Sequence, residues 1–232
     1  LDDNFATIIN AIEEGRNIVV RLKNAIKYLL TGNLTEGLVL VVGLALGFPP
    51  LLLPIQLLYI NLISDGVPAL AMAFSPQNSH IMKQKQDITV SLLRRGEMGY
   101  VAFVGVVATG IVLLVYSFIG MRVGIFGVYA QTAVFSVLAM IQAFIFVDIW
   151  FAHQSEKKLS LLMPPIFFIT VAIPIGIQYL IVRTSFLSEL FHTQVLRREE
   201  FGMYLVFSLM ILPTIWIIRM AKRRFTLETG FE

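Results

Sequence analysis

The chain has 232 residues, 57% of them hydrophobic and only 14% charged, with a mean hydropathy of +0.79. A soluble globular domain averages about 45–50% apolar and about 25% charged residues, so a soluble enzyme is excluded. The net charge of +3 is small and flanks apolar runs, which argues against nucleic acid as a partner, and the absence of cysteine excludes disulfides, thiolate metal sites and cysteine nucleophiles.

The chain opens on Leu1-Asp2-Asp3-Asn4, neither a Met start nor a basic signal-peptide region, and so reads as a piece of something longer. Residues 5 to 27 predict an amphipathic helix. Ile8, Ile9, Ile12, Ile18, Val19, Leu22 and Ile26 are set among Glu13, Glu14, Arg16, Arg21, Lys23 and Lys27. Asp2, Asp3 or Asn4 can cap its start. No breaker precedes the apolar run that begins at Ala25, so the helix is expected to leave water and enter the membrane as a stalk.

Six apolar stretches follow, near 26–46, 53–74, 97–119, 130–152, 161–182 and 201–219. Each has about the 20 apolar residues that a helix needs to cross a bilayer. The expected fold class is all-α, a polytopic membrane bundle of six transmembrane helices preceded by the stalk helix. Gly47-Phe48-Pro49-Pro50 predicts a tight turn, so the first two spans form an antiparallel hairpin. Ser75 to Arg95 is a longer polar loop.

Of the 18 Lys and Arg residues, all but Arg122, Arg183, Arg197 and Arg198 fall on one side of this topology. They include Arg16 to Lys27 in the stalk, Lys83, Lys85, Arg94 and Arg95 in the long loop, and Lys157, Lys158, Arg219, Lys222, Arg223 and Arg224 beyond it. The positive-inside rule places both termini and the long loop in the cytoplasm. The even number of spans agrees.

Polar side chains inside the apolar spans carry the functional signal. Asn33 and Glu36, three apart, share a helix face in the first span, and Asn61, Ser64 and Asp65 share one in the second. Membrane carboxylates are costly and usually face an ion path. Gly32 and Gly37 bracket the first pair, and Gly66 and Pro68 follow Asp65, so both helices are expected to be interrupted there, freeing carbonyls for a cation. Two carboxylates, two amides, a hydroxyl and free carbonyls form an all-oxygen set that suits a hard cation such as Ca²⁺. The competing reading is that Asn33, Asn61 and Ser64 only hydrogen-bond helices together. Gln142, mid-span in the fourth helix, is a weaker ligand candidate. Asp148 reads as a solvated or helix-end group near the cytoplasmic end of that span, and His80, His153 and His192 as surface loop residues.

These residues also carry a resemblance. Leu1-Asp-Asp-Asn-Phe-Ala-Thr-Ile8 resembles the end of the phosphorylation domain of P-type ATPases, just before their stalk. Asn33-Leu-Thr-Glu36 looks like the Asn-x-x-Glu of the fifth transmembrane helix of calcium pumps. Pro54-Ile-Gln-Leu-Leu-Tyr-Ile-Asn61-Leu-Ile-Ser64-Asp65-Gly-Val-Pro68-Ala-Leu-Ala71 is similar to their sixth, a long and specific motif. The resemblance implies that the six spans are the family's helices five to ten. Residues 1–27 would then end the phosphorylation domain and form the stalk, and 28–232 would be the C-terminal cation-transporting domain. Asn33, Glu36, Asn61, Ser64 and Asp65 fall on the family's cation-ligand positions, with Ser64 where Thr is frequent. In Ser136-Val-Leu-Ala-Met-Ile-Gln142 an amide stands where sarcoplasmic-reticulum-type pumps carry a glutamate, so their two-ion stoichiometry does not carry over.

No Asp-Lys-Thr-Gly-Thr phosphorylation motif, Thr-Gly-Glu actuator loop, nucleotide domain or Pro-Glu-Gly fourth helix is found in this sequence. The expectation is therefore the transport half of a Ca²⁺-transporting ATPase that is inactive alone. It would export Ca²⁺ from the cytoplasm across a plasma or bacterial inner membrane, with proton counter-transport. The actuator, nucleotide and phosphorylation domains, which use ATP and Mg²⁺, and the first four helices would be its partners, together with the lipid bilayer. The alternative is a self-contained cation channel or secondary transporter subunit, which has no need of the soluble stalk.

Overall fold

The structure is a computed structural model that describes residues 5–75, 81–83, 95–123, 127–152 and 164–217, with the single positions 93, 219 and 220. The proposed cap at Asp2 to Asn4, and His80, Lys85, Arg94, His153, Lys157, Lys158, Lys222, Arg223 and Arg224, lie outside the described residues.

Helix α1 runs without a break from Phe5 to Ala45. At about 1.5 Å per residue this is roughly 60 Å, twice a hydrocarbon core of about 30 Å, so one end must project beyond the membrane. Gly32 and Gly37 do not interrupt it, contrary to the expectation from sequence. Isolated glycines weaken a helix but leave every backbone donor in place, unlike proline. The helix stops at Gly47, whose φ of +79° suits a residue without Cβ. Phe48 N–H then donates back to the Gly43 carbonyl at 3.0 Å.

The second span consists of α2 (Pro54–Tyr59), a π-helical segment (Ile60–Asp65) and α3 (Gly66–Met72). It is followed by a single 3₁₀ turn at Ile81–Lys83, then α4 (Arg95–Val123), α5 (Val128–Ala152) and α6 (Pro165–Arg183). A short helix, α7 (Ser185–Leu190), precedes α8 (Arg198–Leu209), and helical backbone continues past Met210 to residue 217. Six helical stretches are long and apolar enough to cross a membrane: Thr7–Ala45, Pro54–Met72, Gly96–Met121, Val128–Ala152, Pro165–Arg183 and Arg198–Ile217. They coincide with the six spans expected from hydropathy, and no strand occurs among the described residues.

Helix α5 is the axis of the bundle. It packs against α4, α6, α8 and the π-helical segment, while α1 lies chiefly on α4. Every side chain from Thr132 to Phe146 is buried, which is why this helix is apolar on all sides and shows no amphipathic period. The outer helices instead expose large apolar groups, Val41, Leu44, Leu114, Phe168 and Val206 each by more than half, as a surface solvated by lipid does.

Two polar belts mark the ends of the bundle. At one end Arg21 Nε donates to the Ser75 carbonyl at 3.0 Å, Lys27 Nζ lies 3.9 Å from the centre of the Tyr100 ring, and Tyr100 Oη donates to Asp148 Oδ2 at 2.6 Å. Arg219 pairs with the same carboxylate. Asp148 lies near the end of α5 but is not solvated; its side chain is only 11% exposed and ties α4 and α5 to the end of the last span. At the other end Gln131 Nε2 donates to the Pro50 carbonyl, Gln56 Nε2 to the Phe191 carbonyl, and Tyr129 Oη to Glu200. His192 sits in the exposed turn after α7, as expected. Along the first turns of α1 the apolar residues point away from the chain: Ile8, Ile12, Ile18 and Leu22 are exposed, whereas Arg16 and Arg21 turn inward onto the carbonyls of Ile81 and Ser75.

Candidate cation site

The site begins with Pro68. A proline has no N–H, so the Ser64 carbonyl one turn earlier loses its helical donor. The backbone there widens into the π-helical turn Ile60–Asp65, a geometry that in proteins is rare and concentrated at functional positions. The freed carbonyl is not left open, as the sequence suggested. Tyr28 of α1 donates its hydroxyl to Ser64 O at 2.8 Å, and the Tyr28 Oη lies 3.4 Å from Asp65 Oδ1.

The wider turn also changes which side chains share a face. Asn61 turns outward and donates from Nδ2 to Glu36 Oε2 at 2.9 Å and to the Leu57 carbonyl at 3.0 Å. Ser64 and Asp65 turn inward and are buried, Asp65 to 1% exposure. Near Asp65, on α5, stands Gln142, fully buried. Gly32 of α1 lies between: a Cβ built on it would fall 2.9 Å from Asp65 Oδ2 and 2.8 Å from Gln142 Nε2.

Hydrogen bonding at this cluster is incomplete. Glu36 Oε1, Asp65 Oδ2 and both amide atoms of Gln142 are buried with no hydrogen-bond partner, whereas the Ser64 hydroxyl has the Tyr59 hydroxyl as a hydrogen-bonding neighbour. Other unpartnered buried atoms, such as Trp150 Nε1 and Gln178 Oε1, occur singly, whereas Glu36, Asp65 and Gln142 gather four near one another, and buried polar atoms are usually satisfied. Magnitudes point the same way. Placing an Asp at the centre of a membrane helix costs about 3 kcal/mol on insertion scales, while a membrane hydrogen bond returns only about 0.6 kcal/mol on average. The long contact from Tyr28 does not offset that cost.

Of the six residues singled out in the sequence, the structure places five in two adjoining groups. Glu36 pairs with Asn61, Asp65 meets Gln142 over Gly32, and Ser64 is buried next to Asp65 in the chain with its hydroxyl toward Tyr59. Asn33 is exposed and makes no hydrogen bond among the described residues. Among those residues no group of three His, Cys, Asp or Glu converges; the carboxylates here are Glu36 and Asp65. Sequence reasoning missed Tyr28 and the close approach at Gly32. The signal was present: residues 28, 32 and 36 are spaced four apart and lie on one stripe of α1.

The sequence profile described as cation transporting ATPase, C-terminus, matches residues 49–221. The chain belongs to this family. As a cation-transporting ATPase C-terminus it is 29% identical to calcium-transporting ATPase 1 of Bacillus cereus over 96% of its own length and 27% of that protein's. It is 39% identical to calcium-transporting ATPase 2, endoplasmic reticulum-type, of Arabidopsis thaliana over 51% of this chain and 12% of the relative. The chain thus spans about a quarter or less of the length of these relatives.

Proposed function

We propose that this chain is the cation-translocating membrane domain of an ATP-driven pump that exports Ca²⁺ from the cytoplasm. The cluster of buried, unpartnered oxygens on Glu36, Asp65 and Gln142 carries this reading. Both relatives bear the name of calcium-transporting ATPases, which supports Ca²⁺ as the cargo. Glu36 and Asp65 supply the negative charge, and Asn61, Ser64 and Gln142 supply neutral oxygens. Asn33, exposed beside Glu36, serves as a ligand only toward a segment outside this chain.

In the intact pump, ATP and Mg²⁺ act on domains that this chain lacks, and phosphorylation there moves the projecting end of α1. Because α1 is one rigid helix, that motion reaches Tyr28, Gly32 and Glu36 together and changes access to the site. Proton counter-transport neutralises the two carboxylates on the return leg. Both termini and the 75–95 loop lie in the cytoplasm, and the pump sits in a plasma or bacterial inner membrane.

The test is Asp65→Asn in the full-length pump. The amide keeps the size and most of the hydrogen bonding but removes the charge. Cation-dependent phosphorylation and transport should collapse while yield and thermal stability stay near wild type, and Glu36→Gln should behave alike. Wild-type Ca²⁺ affinity in Asp65→Asn would remove this residue from the site.

A further inference from the structure

A side chain on Gly32 would begin inside the site. Its Cβ would lie 2.8 Å from Gln142 Nε2, 2.9 Å from Asp65 Oδ2 and 3.1 Å from Gln142 Oε1. These three atoms are all buried and lack a hydrogen-bond partner. Gly37, five residues on in the same helix, has nothing within 4 Å of the equivalent position. Backbone conformation does not require glycine at 32, because α1 is regular there and a helix interior favours alanine over glycine. What requires glycine is the approach of the Asp65 carboxylate and the Gln142 amide to one point over its Cα.

Building on the assignment of Asp65 and Gln142 as cation ligands, we propose that Gly32 is a size-determining residue: the space left by its missing side chain lets a divalent cation as large as Ca²⁺ sit between Asp65 and Gln142. Ca²⁺ holds its oxygens at about 2.3–2.6 Å, whereas a small cation such as Mg²⁺ demands about 2.0–2.1 Å. Asp65 Oδ2 and Gln142 Oε1 lie 2.9 and 3.1 Å from where a Gly32 Cβ would stand, so an ion shared by these two oxygens would sit farther out from the Gly32 Cα than that point. A methyl group on Gly32 would intrude on the ion's contact radius and push both oxygens aside. Both neighbouring groups are ends of flexible side chains, so alanine displaces them without obstructing the fold.

The experiment compares Gly32→Ala, Gly37→Ala and Asp65→Asn in the full-length pump. It reads half-saturation by Ca²⁺ and by the smaller Mn²⁺ in cation-dependent phosphorylation, scored per pump recovered in the folded size-exclusion peak. Gly32→Ala should weaken Ca²⁺ by about tenfold and Mn²⁺ by clearly less, whereas Gly37→Ala should change neither. Wild-type Ca²⁺ affinity in Gly32→Ala, or equal losses for the two cations, would overturn the size-determining role. If Asp65→Asn loses Ca²⁺ while Gly32→Ala does not, this inference fails alone; if both keep it, the assignment of the site fails as well. Should Gly32→Ala give no folded pump, the same change in a Gln142→Ala background relieves two of the three close contacts. There the selectivity shift must persist through Asp65 Oδ2, and its absence would count against the proposal.

Discussion

Tyr28 shows how one side chain links backbone geometry to the site. Its hydroxyl occupies the Ser64 carbonyl that Pro68 leaves without a helical donor, and it sits beside Asp65 Oδ1. Tyr28→Phe should therefore destabilise the pump by about 1–3 kcal/mol, the usual penalty for orphaning a buried acceptor, readable in thermal unfolding. No loss of stability would mean that another donor reaches Ser64 O. Gln142→Ala should weaken cation affinity less than Asp65→Asn, because it removes a neutral oxygen and no charge. At this scale the sequence was partly legible. Glu36 and Asp65 stood out because charge inside an apolar run is costly. Asn33 did not join the cluster, because spacing three apart puts two residues on one broad face without deciding which of them turns inward. Tyr28 and Gly32 escaped notice because neither is unusual in a membrane helix until its neighbour across the interface is known.

The break in the second span belongs to the scale of elements. Gly66 and Pro68 predicted an interruption, and the structure answers with a π-helical turn, so the chain stays helical while its side chains are re-aimed. The form of the interruption was not legible because it depends on a donor from another helix. A double-mutant cycle tests that dependence. Pro68→Ala restores the N–H that can reach the Ser64 carbonyl, so Tyr28→Phe should cost markedly less in the Pro68→Ala background than in wild type. Additive effects would show that the two residues do not share the carbonyl. The central position of α5 was equally hidden, since a helix apolar on all sides has no face to read. Asp148 looked like a solvated or helix-end group because Tyr100 and Arg219, which hold it, are 48 and 71 residues away in the chain.

For the whole molecule, six spans were readable from length and hydropathy alone, because the bilayer imposes the same requirement on each helix. Orientation rests on the distribution of basic residues and is open to direct test. Single cysteines at Met82 and Val195, both exposed, should be labelled by a membrane-impermeant reagent from opposite sides, Met82 from the cytoplasm and Val195 from outside. Labelling of Met82 from outside would invert the topology and, with it, the direction of transport. Less legible was the outward-facing apolar stripe at the start of α1, because an amphipathic pattern reveals two faces without telling which one the rest of the chain takes.

The central claim is that the unpartnered oxygens around Gly32 and Glu36 are the seat of the transported ion. A structure of the full-length pump determined with Ca²⁺ present tests it most directly. The account predicts cation density within about 2.3–2.6 Å of a carboxylate oxygen of Asp65, on the side facing Gln142, and lost in Asp65→Asn. Cation density confined to other parts of the pump, with Asp65 and Glu36 bonded only to protein, would contradict it.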